Sequence, residues 1–266
     1  MNFAPNLIVT TAYRSTRELE EEAARIAASF HVLFVERKKQ SIPSLQKRYS
    51  CDVFVVGKER EEWFPLGQLE PIFFHPNSAM FRAKRIFRGE SDPFLEACAL
   101  REGMKVIDAT LGLGSDAIIA SLVTGLKGKV TGIEANPILA HIVKQGLASY
   151  QEGADDFLHA CRRIDVRQGN HLVFLKSRQM NDVDIVYLDP MFETEITESN
   201  GINQIRAIAY GEDVFDETIT EALRVASHRV VLKDHYQSSR FTKYPFQVIK
   251  RKTALFHFGY IDVPKR

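Results

Sequence analysis

From Val106 onward, apolar runs of strand length alternate with helical patterns, and that alternation limits the folds open to the chain. VIDAT precedes SDAIIASLVTG, KVTGIEA precedes NPILAHIVKQGLASY, and RIDVRQG, DIVYLDP, ETITEALRVAS and RVVLKDH continue the series. A chain written this way builds a parallel sheet covered by helices on both faces, because each right-handed crossover needs about this much sequence. The pattern changes at the end. Phe246 to Lys250 (FQVIK) and Leu255 to Val263 (LFHFGYIDV) are separated only by RKTA, which is too short for a crossover helix. Those two strands are expected to form an antiparallel hairpin.

A smaller block precedes this one. LIVTTAY (Leu7 to Tyr13) reads as a buried strand, and Ser15 with Glu18 forms a capping-box signature. Leu19, Ala23, Ile26, Ala27 and Phe30 then recur at helical spacing. HVLFVER is expected as a second strand, SIPSLQKRYS as a short helix and CDVFVVG as a third strand. The block is too short for a complete doubly wound sheet. Residues 1–76 are therefore expected to form a small N-terminal α/β domain, without a catalytic constellation, ahead of a larger domain at 77–266. Between the two, NSAMFRAKRIFRG carries Arg82, Lys84, Arg85 and Arg88 with Phe81 and Phe87 interleaved. Ser91-Asp92-Pro93 then offers a helix start and Gly103 an end to FLEACALRE.

Charge and cysteine content narrow the function classes. The formal net charge is +1, so no global field draws in a polyanion, and any nucleic-acid contact must come from local patches. Cys51, Cys98 and Cys161 form no C-x-x-C pair, which fits neither a disulfide framework nor a zinc site and suits a reducing compartment. MNFAPNLIVTTAYRS lacks a signal-peptide core and no apolar run reaches spanning length, so a cytoplasmic protein without a membrane partner is expected. The eight histidines show no metal-ligand spacing, and His75 and His235 read as surface or capping residues. No metal is expected.

The stretch VIDATLGLGSDA, Val106 to Ala117, carries the first candidate site. Gly112 and Gly114 let the backbone turn tightly and approach a ligand without a Cβ in the way. The helix start that follows offers unpaired N–H groups to a carboxylate or phosphate. About twenty positions on, Glu134 ends the next strand, where a carboxylate can accept hydrogen bonds from two ribose hydroxyls. Asp108 would orient the loop and the amino-acid end of a cofactor. This G-x-G turn fits S-adenosylmethionine and nicotinamide dinucleotides alike, or simply a tight β–α turn. The antiparallel end of the sheet resembles the class I methyltransferase sheet, seven-stranded with a reversed last strand.

DIVYLDPMFE supplies the second candidate. Asp189-Pro190-Met191-Phe192 follows an apolar strand and so lies at a carboxyl end, where ligand sites of α/β sheets collect. It resembles the D-P-P-[YF] signature of amino-group methyltransferases. An exocyclic amine has its lone pair delocalised into the base and is a poor nucleophile. Asp189 and the Pro190 carbonyl can accept its two N–H bonds and favour the positive charge that grows on nitrogen. Phe192 can stack on the base. Asp-Pro is also a common strand-ending turn, and Phe192 a residue that could equally belong to the core.

VIDATLGLGSDA, YLDPMF and RVVLK, with a basic segment just before them, together resemble the RsmJ-type methyltransferases across roughly residues 77 to 235. That resemblance implies methyl transfer from S-adenosylmethionine to the exocyclic amine of a guanine in small-subunit ribosomal RNA. It implies a cofactor site at Asp108, Thr110, Gly112, Gly114 and Glu134, and a catalytic loop at Asp189 to Phe192. Two departures mark a divergent member: Glu193 stands where the family has proline, and Lys233-Asp234-His235-Tyr236 where it has Lys-Arg-Pro-Asp. Arg82, Lys84, Arg85, Arg88 and Lys233 are candidate RNA contacts, with Phe81 or Phe87 stacking on a base; the alternative for the cluster is a solvated helix face with the aromatics turned into the core. Arg37-Lys38-Lys39 and Lys250-Arg251-Lys252 would add to an RNA surface if they share a face. Asn170 is a candidate for the adenine edge or a plain turn residue, and Glu193 to Glu212 a candidate substrate lid or an ordinary surface excursion. A nicotinamide-dependent oxidoreductase and a non-catalytic RNA-binding protein are the rival readings.

Overall fold

The computed structural model describes residues 6–190 and 212–264, which divide into two compact units between His75 and Pro76. The first unit contains strands β1 (Leu7–Thr11), β2 (Leu33–Phe34), β3 (Asp52–Val56) and β4 (Glu61–Phe64), with helices α1 (Arg17–Phe30) and α2 (Ile42–Tyr49). The sheet order is β2-β1-β3-β4, with β1 parallel to both β2 and β3, and β4 antiparallel to β3. Ile8, Leu45, Cys51, Val53 and Val55 fill one side of the sheet, and Phe30 meets Phe54 edge-on at 5.7 Å on the other.

Three local expectations change here. The cap of α1 is Thr16, whose hydroxyl accepts from the Leu19 N–H, while Ser15 Oγ donates to Glu20 instead. HVLFVER contributes only Leu33–Phe34 as strand, because the backbone turns left-handed at Lys38 and Lys39 soon after. The strand β4 was hidden by its two leading glutamates. Trp63 commits it, being buried and donating from Nε1 to Asp52 Oδ2 at 2.8 Å.

The second unit opens with α3 (Asn77–Phe87) and α4 (Pro93–Cys98), followed by β5 (Lys105–Asp108), α5 (Ser115–Thr124), β6 (Lys129–Glu134) and α6 (Pro137–Ser149). Then come α7 (Asp155–Arg162), β7 (Ile164–Gln168), α8 (His171–Lys176), β8 (Val183–Leu188) and α9 (Glu212–Val225). The unit closes with β9 (Ala226–His235), α10 (Arg240–Lys243), β10 (Gln247–Ile249) and β11 (Phe256–Asp262). Helix α4 stops earlier than expected, at Ala99 in a left-handed conformation (φ 49°), so Gly103 belongs to the turn before β5. The short helices α7 and α8 carry too few turns for periodicity to reveal them.

Seven strands form one sheet in the order β10-β11-β9-β8-β5-β6-β7. The strands from β5 to β9 run parallel, while β11 is antiparallel to both β9 and β10 and lies between them. The expected C-terminal hairpin is thus present, with its second strand inserted against the sheet. Central β8 has Ile185, Val186, Tyr187 and Leu188 all at or below 1 % exposure. Burial on both faces explains its continuous apolar reading, each such side chain contributing roughly 1.5–3 kcal/mol. The reversal of strand order occurs at β5, between β8 and β6, so the crevice beyond the carboxyl ends of these strands is where a ligand site is expected.

Candidate active site

The turn from β5 into α5 is fixed from three directions. Asp108 Oδ1 accepts from the Thr110 N–H at 3.1 Å, Ala109 N donates to Tyr187 O and Leu111 N to Ile133 O, each at 2.9 Å. Gly112 (φ 51°) and Gly114 (φ 78°) both take left-handed backbone, and Gly114 caps α5. Leu111 packs over Gly132 of β6 so closely that a Cβ there would lie 2.4 Å from Leu111 Cδ1. The strand glycine is therefore part of what seats the loop.

Glu134 ends β6 with both oxygens on backbone N–H groups: Oε2 accepts from Gly112 at 3.1 Å and Oε1 from Asn136 at 2.8 Å. Burial pushes its carboxyl up, and these N–H groups oppose the shift. Thr110 joins this loop to the one after β8, because its Oγ1 accepts from the Asp189 N–H at 2.6 Å. The two motifs read separately in the sequence are thus tied together at one edge of the sheet.

Behind them lies a network of charges. Asp116, in the first turn of α5, accepts from Arg82 Nη1 at 2.5 Å and from the Tyr187 hydroxyl at 2.8 Å, and Lys233 Nζ lies 3.7 Å away. Lys233 Nζ donates to Asp189 Oδ2 at 2.6 Å. Arg82 also grips both oxygens of Asp92, the cap of α4, at 2.8 and 2.9 Å. Burial works against the Asp116 charge, yet Lys233, Arg82 and the Tyr187 hydroxyl together hold its carboxyl below the usual range. Asp189 goes the other way. Burial raises it to about 6 against the attraction of Lys233, and Asp116 adds to the rise. Burial, followed by the neighbouring Asp116, also pushes Asp108 well up. Lys233 stays firmly protonated, since Asp189 and Asp116 outweigh its burial.

The structure also gives the surroundings of the other expected site residues. Arg82 and Lys233 were candidate RNA contacts, but their charges are committed to Asp92, Asp116 and Asp189, and their side chains are only 18 % and 19 % exposed. Arg85 pairs with Glu90 at 2.7 Å, while Lys84 and Arg88 are exposed. Phe81 and Phe87 do not turn inward, being 65 % and 54 % exposed. Asn170 caps α8, its Oδ1 accepting from Leu172 and Val173. His235 is buried rather than on the surface, with Nδ1 accepting from the Gln237 N–H. Met191, Phe192 and all of the expected lid from Glu193 to Glu212 but its last residue, which begins α9, lie outside the described residues.

Asp116, Tyr187 and Ser115 escaped the sequence reading. Asp116 was signalled, since a lone charge entering the apolar helix SDAIIASLVT must find a buried partner. Ser115 Oγ, at the start of α5 beside Gly114, is buried and has no hydrogen-bond partner among the described residues. Such an orphan at a helix start suits a polar ligand group.

A family model for SAM-dependent methyltransferases matches residues 67–258. The chain belongs to this SAM-dependent methyltransferase family. The uncharacterised protein YpiP of Bacillus subtilis is 44 % identical to it over 96 % of this chain and 99 % of that protein. The ribosomal RNA small subunit methyltransferase J of Alteromonas mediterranea is 30 % identical over 54 % of this chain and 56 % of its own length. That match thus spans little more than half of each protein. The solved structure of the SAM-dependent methyltransferase NGO1261 from Neisseria gonorrhoeae shares the fold, with a TM-score of 0.64 at 16 % identity over 96 % of each chain.

The methyltransferase uses S-adenosylmethionine as its cofactor, and the residues at the β5–α5 turn fit that molecule. At Gly112 a Cβ would meet nothing nearer than Thr110 O at 3.9 Å, the Ser115 hydroxyl offers a polar contact, and Glu134 presents a carboxylate at the end of β6. Among the described residues no group of three or more His, Cys, Asp and Glu side chains could hold a metal ion, and no helix is long and apolar enough to cross a membrane.

Proposed function

We propose that the methyltransferase methylates an exocyclic amine of a nucleobase, namely guanine in small-subunit ribosomal RNA. The observation that carries the reading is Asp189, placed at the carboxyl end of β8, tied by its backbone to the Thr110 loop and by Oδ2 to Lys233. The small-subunit ribosomal RNA methyltransferases among the matched relatives support the choice of substrate.

In this reading Asp108, Thr110, Gly112, Gly114, Ser115 and Glu134 hold S-adenosylmethionine, with Glu134 accepting from the ribose hydroxyls. Asn170, its carbonyl oxygen already capping α8, has its amide NH2 for the adenine edge. Bound there, S-adenosylmethionine would supply an electrophilic methyl group on a sulfonium, whose S–CH3 bond breaks to leave a neutral thioether. Asp189 Oδ1 accepts one N–H of the target amine and the Pro190 carbonyl accepts the other, which aims the nitrogen lone pair. The ionised carboxylate also stabilises the positive charge that grows on nitrogen as the N–C bond forms. Asp189 Oδ1 then takes the surplus proton and releases it to water, so no stronger base is required. Phe192 stacks on the base. Lys233 holds Asp189 in the orientation and charge state this needs.

The test is transfer of a labelled methyl group from S-adenosylmethionine to ribosomal subunits from a strain lacking this gene, with Asp189→Ala alongside. Label in small-subunit RNA, lost in the variant while cofactor binding persists, is the expected outcome. Label appearing equally with Asp189→Ala, or only on another class of amine, would refute the reading.

A further inference from the structure

The first unit has no role in the site described above, yet its charges are sorted in space. Residues 1–75 contain ten Lys and Arg and ten Asp and Glu, so the unit as a whole is neutral. Strands β1, β2 and β3 run parallel, which brings the loops that leave their carboxyl ends to one edge of the sheet. Those loops are residues 12–16, 35–41 and 57–60. They hold Arg14, Arg37, Lys38, Lys39, Lys58 and Arg60, six of the ten basic residues, against Glu36 and Glu59 within the loops and Glu61 and Glu62 where β4 begins. Arg60 pairs with Glu62 at 2.7 Å and Lys38 with Glu36 at 3.2 Å, so the charge the edge offers centres on Arg14, Lys39 and Lys58.

The middle loop is built to display its lysines. Arg37 turns inward, donating from Nε to Gln40 O at 2.6 Å and from Nη1 to Thr11 O at 3.1 Å, which clamps the loop to the end of β1. Gln40 N closes the turn on Arg37 O at 2.8 Å. Lys38 (φ 43°) and Lys39 (φ 61°) occupy left-handed backbone in succession, a conformation that L side chains adopt at a cost and that glycine or asparagine would take more readily. Both lysines are exposed, Lys38 while paired with Glu36, and Arg14 and Lys58 on the flanking loops are exposed as well. Tyr13, 61 % exposed, adds an aromatic face among these charges. Cations on three loops around one aromatic match a nucleic-acid strand, whose phosphates take the charges and whose bases stack.

We propose that the carboxyl-terminal edge of the first unit's sheet, centred on Arg14, Lys39 and Lys58, is an RNA-binding surface that grips the phosphate backbone of the substrate. The proposal rests on the reading of RNA as substrate and gives the first unit the task of holding it. Sequence is not read here, because phosphate contacts position a strand without reporting its bases.

The experiment uses the full chain and small-subunit ribosomal RNA, with binding measured across a salt series. The variant Arg14→Gln/Lys39→Gln/Lys58→Gln removes three exposed charges and no residue of the methyl-transfer site. It should bind RNA about tenfold or more weakly at physiological salt, with the slope of log affinity against log salt reduced by about two. Its affinity for S-adenosylmethionine should be unchanged. Arg14→Lys/Lys39→Arg/Lys58→Arg should keep both affinity and slope. A triple Gln variant that matches the wild type in affinity and slope overturns the proposal alone. A wild type that binds S-adenosylmethionine but no RNA overturns the substrate reading as well. Should the triple variant lose cofactor binding too, Lys58→Glu on the β3–β4 turn decides the matter, since it must weaken RNA binding for the proposal to stand.

Discussion

Replacing Lys233 by methionine removes the cation 2.6 Å from Asp189 while keeping an unbranched stem of similar length. Asp189 titrates at about 6 with Lys233 in place, and that lysine is the strongest influence holding it down against burial. An opposite charge at this distance lowers a carboxyl by about 1–3 units, so its loss should carry Asp189 to about 7–9. The sign follows from the proposed chemistry. The ionised carboxylate is the competent form, so activity is lost below the Asp189 pKa and recovered above it. At pH 7 the ionised fraction would fall by a factor of about 2 to about 90, from this shift alone. The assay is kcat/KM for methyl transfer against pH, which reports the free enzyme. Wild type should show an acidic limb near 6, Lys233→Met a limb displaced upward with rate recovered at high pH, and Lys233→Arg a limb close to the wild type's. An unmoved limb in Lys233→Met, or a rate that alkaline pH does not restore, would refute the assignment of Lys233 as the residue that keeps Asp189 ionised.

Other consequences concern the frame of the site. Arg82→Met should destabilise the fold by about 3–5 kcal/mol in urea denaturation, because it removes the cation that the buried carboxylates Asp92 and Asp116 share; were Arg82 an RNA contact instead, stability would hold and only the salt dependence of RNA binding would change. Gly132→Ala places a Cβ 2.4 Å from Leu111 Cδ1, an overpacking of about 1–3 kcal/mol that should lower Tm and loosen S-adenosylmethionine together. Glu134→Ala should weaken cofactor binding by about ten- to a hundredfold, read by calorimetry, since hydrogen bonds to a charged acceptor contribute roughly 1.5–3 kcal/mol.

What the sequence disclosed and what it concealed follow from the reach of each signal. The β5–α5 turn was legible because left-handed backbone at Gly112 and Gly114 is a local requirement with a local residue preference. Glu134 was legible because the length of one helix and one strand fixes its distance from that turn. The C-terminal hairpin was readable from a four-residue gap, whereas the insertion of β11 between β9 and β10 depends on pairing with Arg229 to His235, far back in the chain. The carboxylate partners of Arg82 were hidden for the same reason. A basic helix face looks alike whether its partner is a phosphate or a carboxylate, and here the carboxylates stand 10 and 34 residues away. Ala99 shows the limit of helix-end signals, because a left-handed alanine closes α4 where glycine was expected further on. The lysine at 233 was noticed, yet only the fold brings it to Asp189, 44 residues earlier.

The central claim is that the methyl group reaches an exocyclic amine of a base held by Asp189. It is tested most directly by identifying the modified nucleoside. Small ribosomal subunits lacking this methylation would be treated with the enzyme and trideuteromethyl S-adenosylmethionine, digested to nucleosides and analysed by mass spectrometry. The account predicts trideuteromethyl on the exocyclic nitrogen of guanosine with the wild type, and none with Asp189→Ala. Label on a ribose oxygen or a ring carbon, with the amine untouched, would contradict it.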